Sequence, residues 1–491
     1  MVRWALVAAA AVVVSLVAVG LATRSDRQAP TEGAEPEPAS EAAGSRPNIV
    51  VVLTDDQDFR SVRAMESVRR LLGRGGTRFE RAYATFPLCC PARATLLTGL
   101  YSHNHGVVDN KPPEGGFPAF RGRRHTIGVW LQRAGYRTAW IGKFLNAYGL
   151  DGRYPIPPGW SRWHAFVEQS ELRMYGYRLN ENGTVRSYGS SPRAYQTDVL
   201  ARKAGRFVES SARRPQPFFL VMATLAPHDE DDRIDTGGRD PRPAPRHRGA
   251  ELPAALLRPP ASFDERDVSD KARRVRTSPR LSVAERRRVR RLRRSRLESL
   301  MAVDEAVAML VRTLRRSGEL DRTVIVFTTD NGYMLGEHRQ VGGKSLPYEE
   351  AARVPLLIRG PGFPAGERRT QIVGDVDLTP TFLELAGADP TRRPDGVSLL
   401  GPAADPGAGA DRALLLESGA MRAVRTSRWL YVDYVKGGRE LYDTEADPLQ
   451  LRSLAGSPPL ADTEAALTAQ LEALADCSGG GCVSEYRSAG P

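Results

Sequence analysis

Lysine is scarce in a chain rich in positive charge: Lys111, Lys143, Lys203, Lys271, Lys344 and Lys436 are all there are among 70 basic residues. Arginine therefore carries almost all of the formal net charge of +12, and the positions that keep lysine stand out as candidates for chemistry. Cysteine is limited to Cys89, Cys90, Cys477 and Cys482, which in a chain of 491 residues excludes a small scaffold stapled by disulfides. The absence of a Cys/His cluster argues against zinc. Aromatic residues are missing from the densest basic stretch, residues 282–318. That stretch therefore reads as a solvated helix face and not as a surface that stacks nucleic-acid bases. Internal repeats are absent too.

What is present at the N-terminus is an apolar run from Trp4 to Ala22 after Arg3, followed by a stretch rich in Ala, Pro, Glu and Ser. Residues 1–23 read as a signal peptide or signal anchor and 24–46 as a disordered linker. The run is long for a secretory core and short for a membrane span, so cleavage and retention both fit it. Either outcome puts the globular part outside the cytoplasm, with membrane contact only through an uncleaved N-terminus. Disulfides are allowed there, and the short flexible "SGGG" between Cys477 and Cys482 suits a local bridge. Cys89 and Cys90 then remain free, since adjacent cysteines close a strained ring.

Continuous apolar runs recur along the rest: "NIVVVLT" at 48–54, "YRTAWIGK" at 136–143, "PFFLVMATLAPH" at 217–228, "DRTVIVFTTDNGY" at 321–333 and "RVPLLIRGPG" at 353–362. Such runs suit strands buried on both faces, and the helical patterns between them predict an α/β fold built on a parallel sheet with helices on both sides. The longest helix is predicted to open at Ser282, with Glu285 completing a capping box, and to stop near Gly318. Val303, Val307, Leu310, Val311 and Leu314 form its apolar stripe. Residues 229–281, rich in Pro, Arg and Asp, read as a surface insertion that rims the site. Beyond residue 400 the segments shorten, which predicts a small antiparallel sheet followed by a helix. The division is thus 47–400 for a catalytic domain and 401–491 for a smaller C-terminal subdomain.

Ligands bind open parallel sheets at the carboxyl ends of the strands. Asp55 and Asp56 end one predicted strand, and Asp330 and Asn331 end another. Alone, each pair is an ordinary turn or cap; together they are oxygen ligands for a hard divalent cation, Ca²⁺ or Mg²⁺. "CCPARATLLTG" follows at 89–99, where Pro91 marks a first helical turn. Cys89 then sits at an anion-attracting helix start, with the Arg93 guanidinium beside it.

Cys89-Cys90-Pro91-Ala92-Arg93 followed by "ATLLTG" resembles the signature of the type I, formylglycine-dependent sulfatases. "HNHGVV", "GKFLNAYG", "PPGW", "DNGY" and "CSGGGC" extend the likeness to the N-acetylglucosamine-6-sulfatase branch, over nearly all of Asn48 to Cys482. The resemblance implies an alkaline-phosphatase-like fold: a large mixed, mostly parallel sheet between helices, with a smaller C-terminal antiparallel sheet plus helix. It implies formylglycine at position 89, made from Cys89 by a formylglycine-generating or anaerobic sulfatase-maturating enzyme. It further implies Ca²⁺, with Mg²⁺ as the alternative, on Asp55, Asp56, Asp330, Asn331 and the converted side chain of Cys89, and sulfate contacts from Arg93, Lys143, His228 and Lys344. Cys90 is expected to be a small buried side chain. Many members read G-K-W-H where this chain has Gly142-Lys143-Phe144-Leu145, so a histidine is missing and Asn146 is the candidate substitute. His338 is a further candidate for the pocket, whereas His103 and His105 read as structural or subsite residues.

The expected partner is a sulfated glycan or aryl sulfate, and no nucleic acid. In the expected reaction a hydrated aldehyde attacks sulfur and its second hydroxyl later lets sulfate leave, which a serine ester cannot do. Lys344 and His228 would serve the leaving oxygen. The competing functions are a phosphodiesterase or phosphonate monoester hydrolase on the same scaffold, and a non-catalytic binder of anionic polysaccharide.

Overall fold

A computed structural model describes residues 46–168, 170–230 and 240–486. The signal or anchor segment, and all of the linker except Arg46, lie outside the described residues. Among the described residues, twelve strands precede residue 400: β1 (Asn48–Thr54), β2 (Thr77–Tyr83), β3 (Arg137–Gly142), β4 (Arg162–Phe166), β5 (Arg178–Glu181), β6 (Thr184–Ser187), β7 (Phe218–Ala223), β8 (Thr323–Thr329), β9 (Met334–Leu335), β10 (Val341–Gly343), β11 (Arg353–Arg359) and β12 (Glu367–Gly374). All but the small β9–β10 pair form one ten-stranded sheet in the order β12-β2-β11-β8-β1-β7-β3-β4-β5-β6.

The centre of that sheet, β8-β1-β7-β3-β4, is parallel throughout, with Val51 opposite both Val221 and Val326. β11 enters antiparallel between β8 and β2, and the β5–β6 hairpin extends the far edge antiparallel. Alternation along β1 sends Ile49, Val51 and Leu53 to a layer holding Trp140, Trp163 and Phe219, and Val50 and Val52 to a layer under the long helix. Both faces of β1 are buried over all seven residues, which explains its unbroken apolar sequence.

The long helix spans Val283–Arg316 and opens with the predicted capping box. The Ser282 hydroxyl accepts from Glu285 N at 3.2 Å, and the Glu285 carboxylate accepts from Ser282 N at 2.7 Å. Val303, Val307, Leu310, Val311 and Leu314 face the sheet as expected. The arginine-dense half is not wholly solvated, however: Arg293 and Arg296 are buried. The described part of the insertion is anchored to the rest of the fold. Within 240–281, the Asp264 amide donates to Gly336 O, and Lys271 reaches the Leu451 carbonyl, both at 2.8 Å.

The C-terminal strands β13 (Arg412–Ser418), β14 (Met421–Arg425), β15 (Trp429–Tyr434), β16 (Arg439–Asp443) and β17 (Ser484–Glu485) form an antiparallel sheet in the order β16-β15-β14-β13-β17. The Ala461–Ala475 helix covers it with Leu467, Leu471 and Leu474, and Cys477 and Cys482 are bonded as the spacing suggests. The Arg412 guanidinium grips both oxygens of Asp377, at 2.5 and 2.8 Å, and so ties the segment after β12 to this second sheet.

Candidate active site

The strand order brings the carboxyl ends of β1 and β8 side by side, and with them Asp55, Asp56, Asp330 and Asn331. The Asp56 amide donates to Asp330 Oδ1 at 3.1 Å, and Asn331 Nδ2 donates to Asp56 Oδ1 at 2.7 Å. Asp56 itself has φ +63°, a left-handed conformation that a branched or bulky side chain resists. It is the price of turning two successive carboxylates into one spot.

Cys89 opens the Cys89–Thr98 helix, which ends at Gly99 in the left-handed conformation. Its thiol points at Asp55 Oδ1 and Asp56 Oδ1, at 3.4 and 3.8 Å. One turn on, Arg93 donates from Nε to Asp330 Oδ2 at 2.8 Å, from Nη1 to the Lys143 carbonyl at 2.8 Å and from Nη2 to Asp55 Oδ2 at 3.3 Å. Lys143 follows β3 through Gly142, where φ is +119° and a Cβ would lie 1.8 Å from the Ala223 carbonyl oxygen, so only glycine fits. The Lys143 ammonium lies 2.5 Å from Asp55 Oδ2. Lys344 lies 2.6 Å from Asp56 Oδ1 and 3.3 Å from Cys89 Sγ. His228 Nδ1 donates to the Asp229 carbonyl at 2.7 Å, which leaves Nε2 facing Asp56 Oδ2 at 3.5 Å.

Three carboxylates and three permanent cations therefore share one buried cluster. Burial opposes ionisation of Asp55, but Lys143, then His228 and Arg93, hold its carboxyl below the usual range. Burial likewise opposes Asp56, and Lys344 and His228 pull it down. Asp330 goes the other way, raised by burial and by Asp55 despite Arg93. Burial also works to discharge Lys143 and Lys344, yet Asp55 and Asp56 respectively keep them charged. The Cys89 thiol is pushed well up, first by burial and then by Asp55, which makes an unmodified thiol a poor nucleophile.

Ligand atoms of Asp55, Asp56, Cys89 and His228 all lie within 4.8 Å of one another. Asp56 Oδ2, apart from its approach to His228, and Asn331 Oδ1 are buried acceptors with no hydrogen-bond donor. Buried acceptors without donors, in a set of carboxylate and amide oxygens, fit a hard divalent cation.

The remaining candidates fall outside this cluster. His338 is buried with Nδ1 2.6 Å from Glu265 and its ring against Tyr348. His103 bonds Glu417 and the Cys477 carbonyl, and His105 bonds Thr95. Cys90 is fully buried, with its amide on Asn110. Asn146 keeps a buried Oδ1 without a partner in the loop after Lys143.

Arg296 is the residue that sequence reasoning missed. Its guanidinium donates to the Asp56 carbonyl, lies 3.4 Å from Asp229 Oδ1 and stacks 4.2 Å from the centre of the Tyr333 ring. It thus braces both the left-handed Asp56 and the neighbour of His228. A signal existed: counting back by sevens from Val303 along the apolar stripe lands on Arg296 and Val289, both buried.

Comparison with known proteins agrees with this geometry. The family model described as Sulfatase matches residues 47–388. The chain is 38% identical over 369 residues to the extracellular sulfatase SULF-1 homolog of Drosophila melanogaster, covering 74% of this chain and 32% of that protein. It is 34% identical over 374 residues to the N-acetylglucosamine-6-sulfatase of Homo sapiens, covering 73% and 65%. The chain thus spans about a third of the fly relative and just under two thirds of the human one. A solved structure of a protein in complex with its substrate, D-glucosamine-2-N,6-O-disulfate, aligns with a TM-score of 0.69 at 27% identity, covering 87% of this chain and 97% of that one.

Proposed function

The chain belongs to the sulfatase family, and from that premise we propose that it hydrolyses sulfate monoesters of sulfated glycans, 6-O-sulfated glucosamine units foremost. The observation that carries this reading is the convergence of Asp55, Asp56, Asp330, Asn331 and Cys89 with Arg93, Lys143, His228 and Lys344 in one buried cluster. The sugar follows from the substrate bound to the aligned structure and from the name of the human relative.

Cys89 is proposed to be converted to formylglycine by a maturation enzyme and an oxidant, with loss of the sulfur. When hydrated, that aldehyde supplies one hydroxyl to attack sulfur and a second to expel the bound sulfate. Asp55, Asp56, Asp330, Asn331 and the converted side chain would hold Ca²⁺, or Mg²⁺, which supplies positive charge that polarises oxygen ligands. The chain's own groups do the rest. Arg93, pinned between Asp330, Asp55 and the Lys143 carbonyl, fixes the helix start against the strand ends. Lys143 and Lys344 present ammonium groups to the non-bridging oxygens, where charge gathers in the transition state. His228 Nε2, aimed by the bond from Nδ1 to the Asp229 carbonyl, is placed with Lys344 to protonate or neutralise the departing alcohol oxygen.

The disulfide near the C-terminus and the extracellular naming of the fly relative support a secreted or extracytoplasmic location. The test is sulfate release from glucosamine 6-sulfate and 4-nitrophenyl sulfate by protein coexpressed with a maturation enzyme, beside its Cys89→Ser variant. Activity is expected only in the parent, whose Cys89 peptide loses about 18 Da. Equal activity in Cys89→Ser sinks the proposal, and faster turnover of a phosphodiester than of either sulfate moves it to phosphoryl chemistry.

A further inference from the structure

Outside the catalytic cluster, the Gln196–Ser211 helix and the segment after β6 enclose a concavity of about 230 Å³, lined by Tyr188, Arg193, Arg202, Lys203 and Arg206 among others. Of the acids near it, Glu181 is already occupied by Lys203 at 2.9 Å and by the Tyr188 hydroxyl at 2.5 Å, and Asp198, four residues before Arg202, is taken up by Arg246 at 2.7 Å. Tyr188 also stacks on Tyr177 at 4.9 Å, which makes it a fixed wall. Arg193, Arg202 and Arg206 are exposed, and among the described residues none of them pairs with a carboxylate. Arg202 Nη2 donates to the Arg193 carbonyl at 2.7 Å, which holds two of the three side by side.

Arg202 and Arg206 stand four apart on one helix, a like-charge spacing that weakens a helix unless an anion lies between them. Guanidinium groups with free donors in a concave frame suit an oxyanion with several acceptor oxygens.

We propose that this concavity is an exosite for a sulfated polysaccharide, holding the polymer through a sulfated unit remote from the ester being cleaved. The proposal rests on the sulfated-glycan reading above and adds that the substrate is a chain and not a free sugar. Arg193, Arg202 and Arg206 carry the attraction, while Tyr188 and the Lys203–Glu181 pair set the frame.

The test uses the full chain, its Arg193→Gln/Arg202→Gln/Arg206→Gln variant, and an Arg287→Gln/Arg290→Gln/Arg291→Gln variant that removes equal charge from exposed positions of the long helix. At about 0.15 M salt, where exposed charges are largely screened, the dissociation constant for a fluorescent heparin fragment should rise about tenfold in the first variant. It should change less than about twofold in the second. Hydrolysis of 4-nitrophenyl sulfate and the melting temperature should match the parent in both. Unchanged heparin binding in the first variant overturns the exosite, and equal losses in both overturn it in favour of bulk charge. Equal affinity of the parent for a DNA duplex of the same length overturns the assignment to sulfated glycan. Absence of any sulfate hydrolysis in the parent, with the heparin contrast intact, sinks the catalytic reading and leaves a polysaccharide binder.

Discussion

Two buried groups of charge differ in how completely they are closed. At the junction of the two sheets, Asp377 Oδ1 accepts from Val397 N and Arg412 Nη2, and Oδ2 from Gly374 N and Arg412 Nη1. Every lone pair of that carboxylate that faces protein has a donor, so its acceptors are fully closed, and what is left over is a donor, Arg412 Nε. At the ends of β1 and β8, the cations and carboxylates also balance, yet Asp56 Oδ2 and Asn331 Oδ1 lack donors and Asp56 is held in a left-handed conformation. Full closure fixes a fold. Incomplete closure, retained against its energetic cost, leaves coordination capacity for something that is not protein.

Breaking the closed group should give the largest effect, and on stability. Arg412→Met strands the buried Asp377 carboxylate and should cost about 3–5 kcal/mol, read as a drop in urea midpoint, with turnover per folded molecule unchanged. Breaking the open group should spare stability and strike the reaction. Lys344→Ala is expected to lower turnover by about 10², while the melting temperature holds. Near-normal turnover would remove Lys344 from the chemistry.

The brace behind the open group should matter less. Arg296→Lys keeps the charge but loses the fork that spans the Asp56 carbonyl and Asp229, and should weaken Ca²⁺ binding about tenfold, measured by calorimetry on the unmodified thiol form. Unaltered calcium affinity would reduce Arg296 to packing.

The last effect is a pH dependence beside the closed group. Burial pushes the Asp375 carboxyl up from 3.8 to about 7, with Asp377 adding to the rise and bonds from Thr85 opposing it. Between those values the folded protein holds more protons than the unfolded chain, so this contribution to stability declines as pH rises through the window and is flat above it. Asp375→Asn stays neutral and should flatten that slope in denaturant titrations taken at successive pH values.

The two groups were not equally legible in the sequence. Asp55, Asp56, Asp330 and Asn331 announce themselves because an apolar run that stops in acids is a local pattern, and parallel pairing then forces the ends together. Cys89 and Arg93 are carried by a compact motif. Lys143 and Lys344 sit in loops without periodicity and were found only through family resemblance, aided by the scarcity of lysine. The Asp377–Arg412 grip joins positions with no shared local pattern, so nothing in either neighbourhood predicts it. Arg296 was hidden by its own surroundings, since two inward arginines, Arg293 and Arg296, among many outward ones leave no compositional trace. The anchors of the 229–281 insertion within its described part, 240–281, are illegible for a related reason. Polar, proline-rich sequence says little about long-range anchors such as Lys271 on the Leu451 carbonyl.

The carbonyl of Cys477, at one foot of the disulfide, accepts from His103 Nε2 at 2.9 Å and from Asn104 Nδ2 at 2.8 Å. The turn that immediately follows the Cys89–Thr98 helix is therefore latched by a segment 373–374 residues further along the chain. A chain that emerges N-terminus first must carry Cys89 unlatched until Cys477 has been made. Under the proposed conversion of Cys89, the order of manufacture keeps the thiol within reach of a modifying enzyme until that distant segment arrives and its small loop closes.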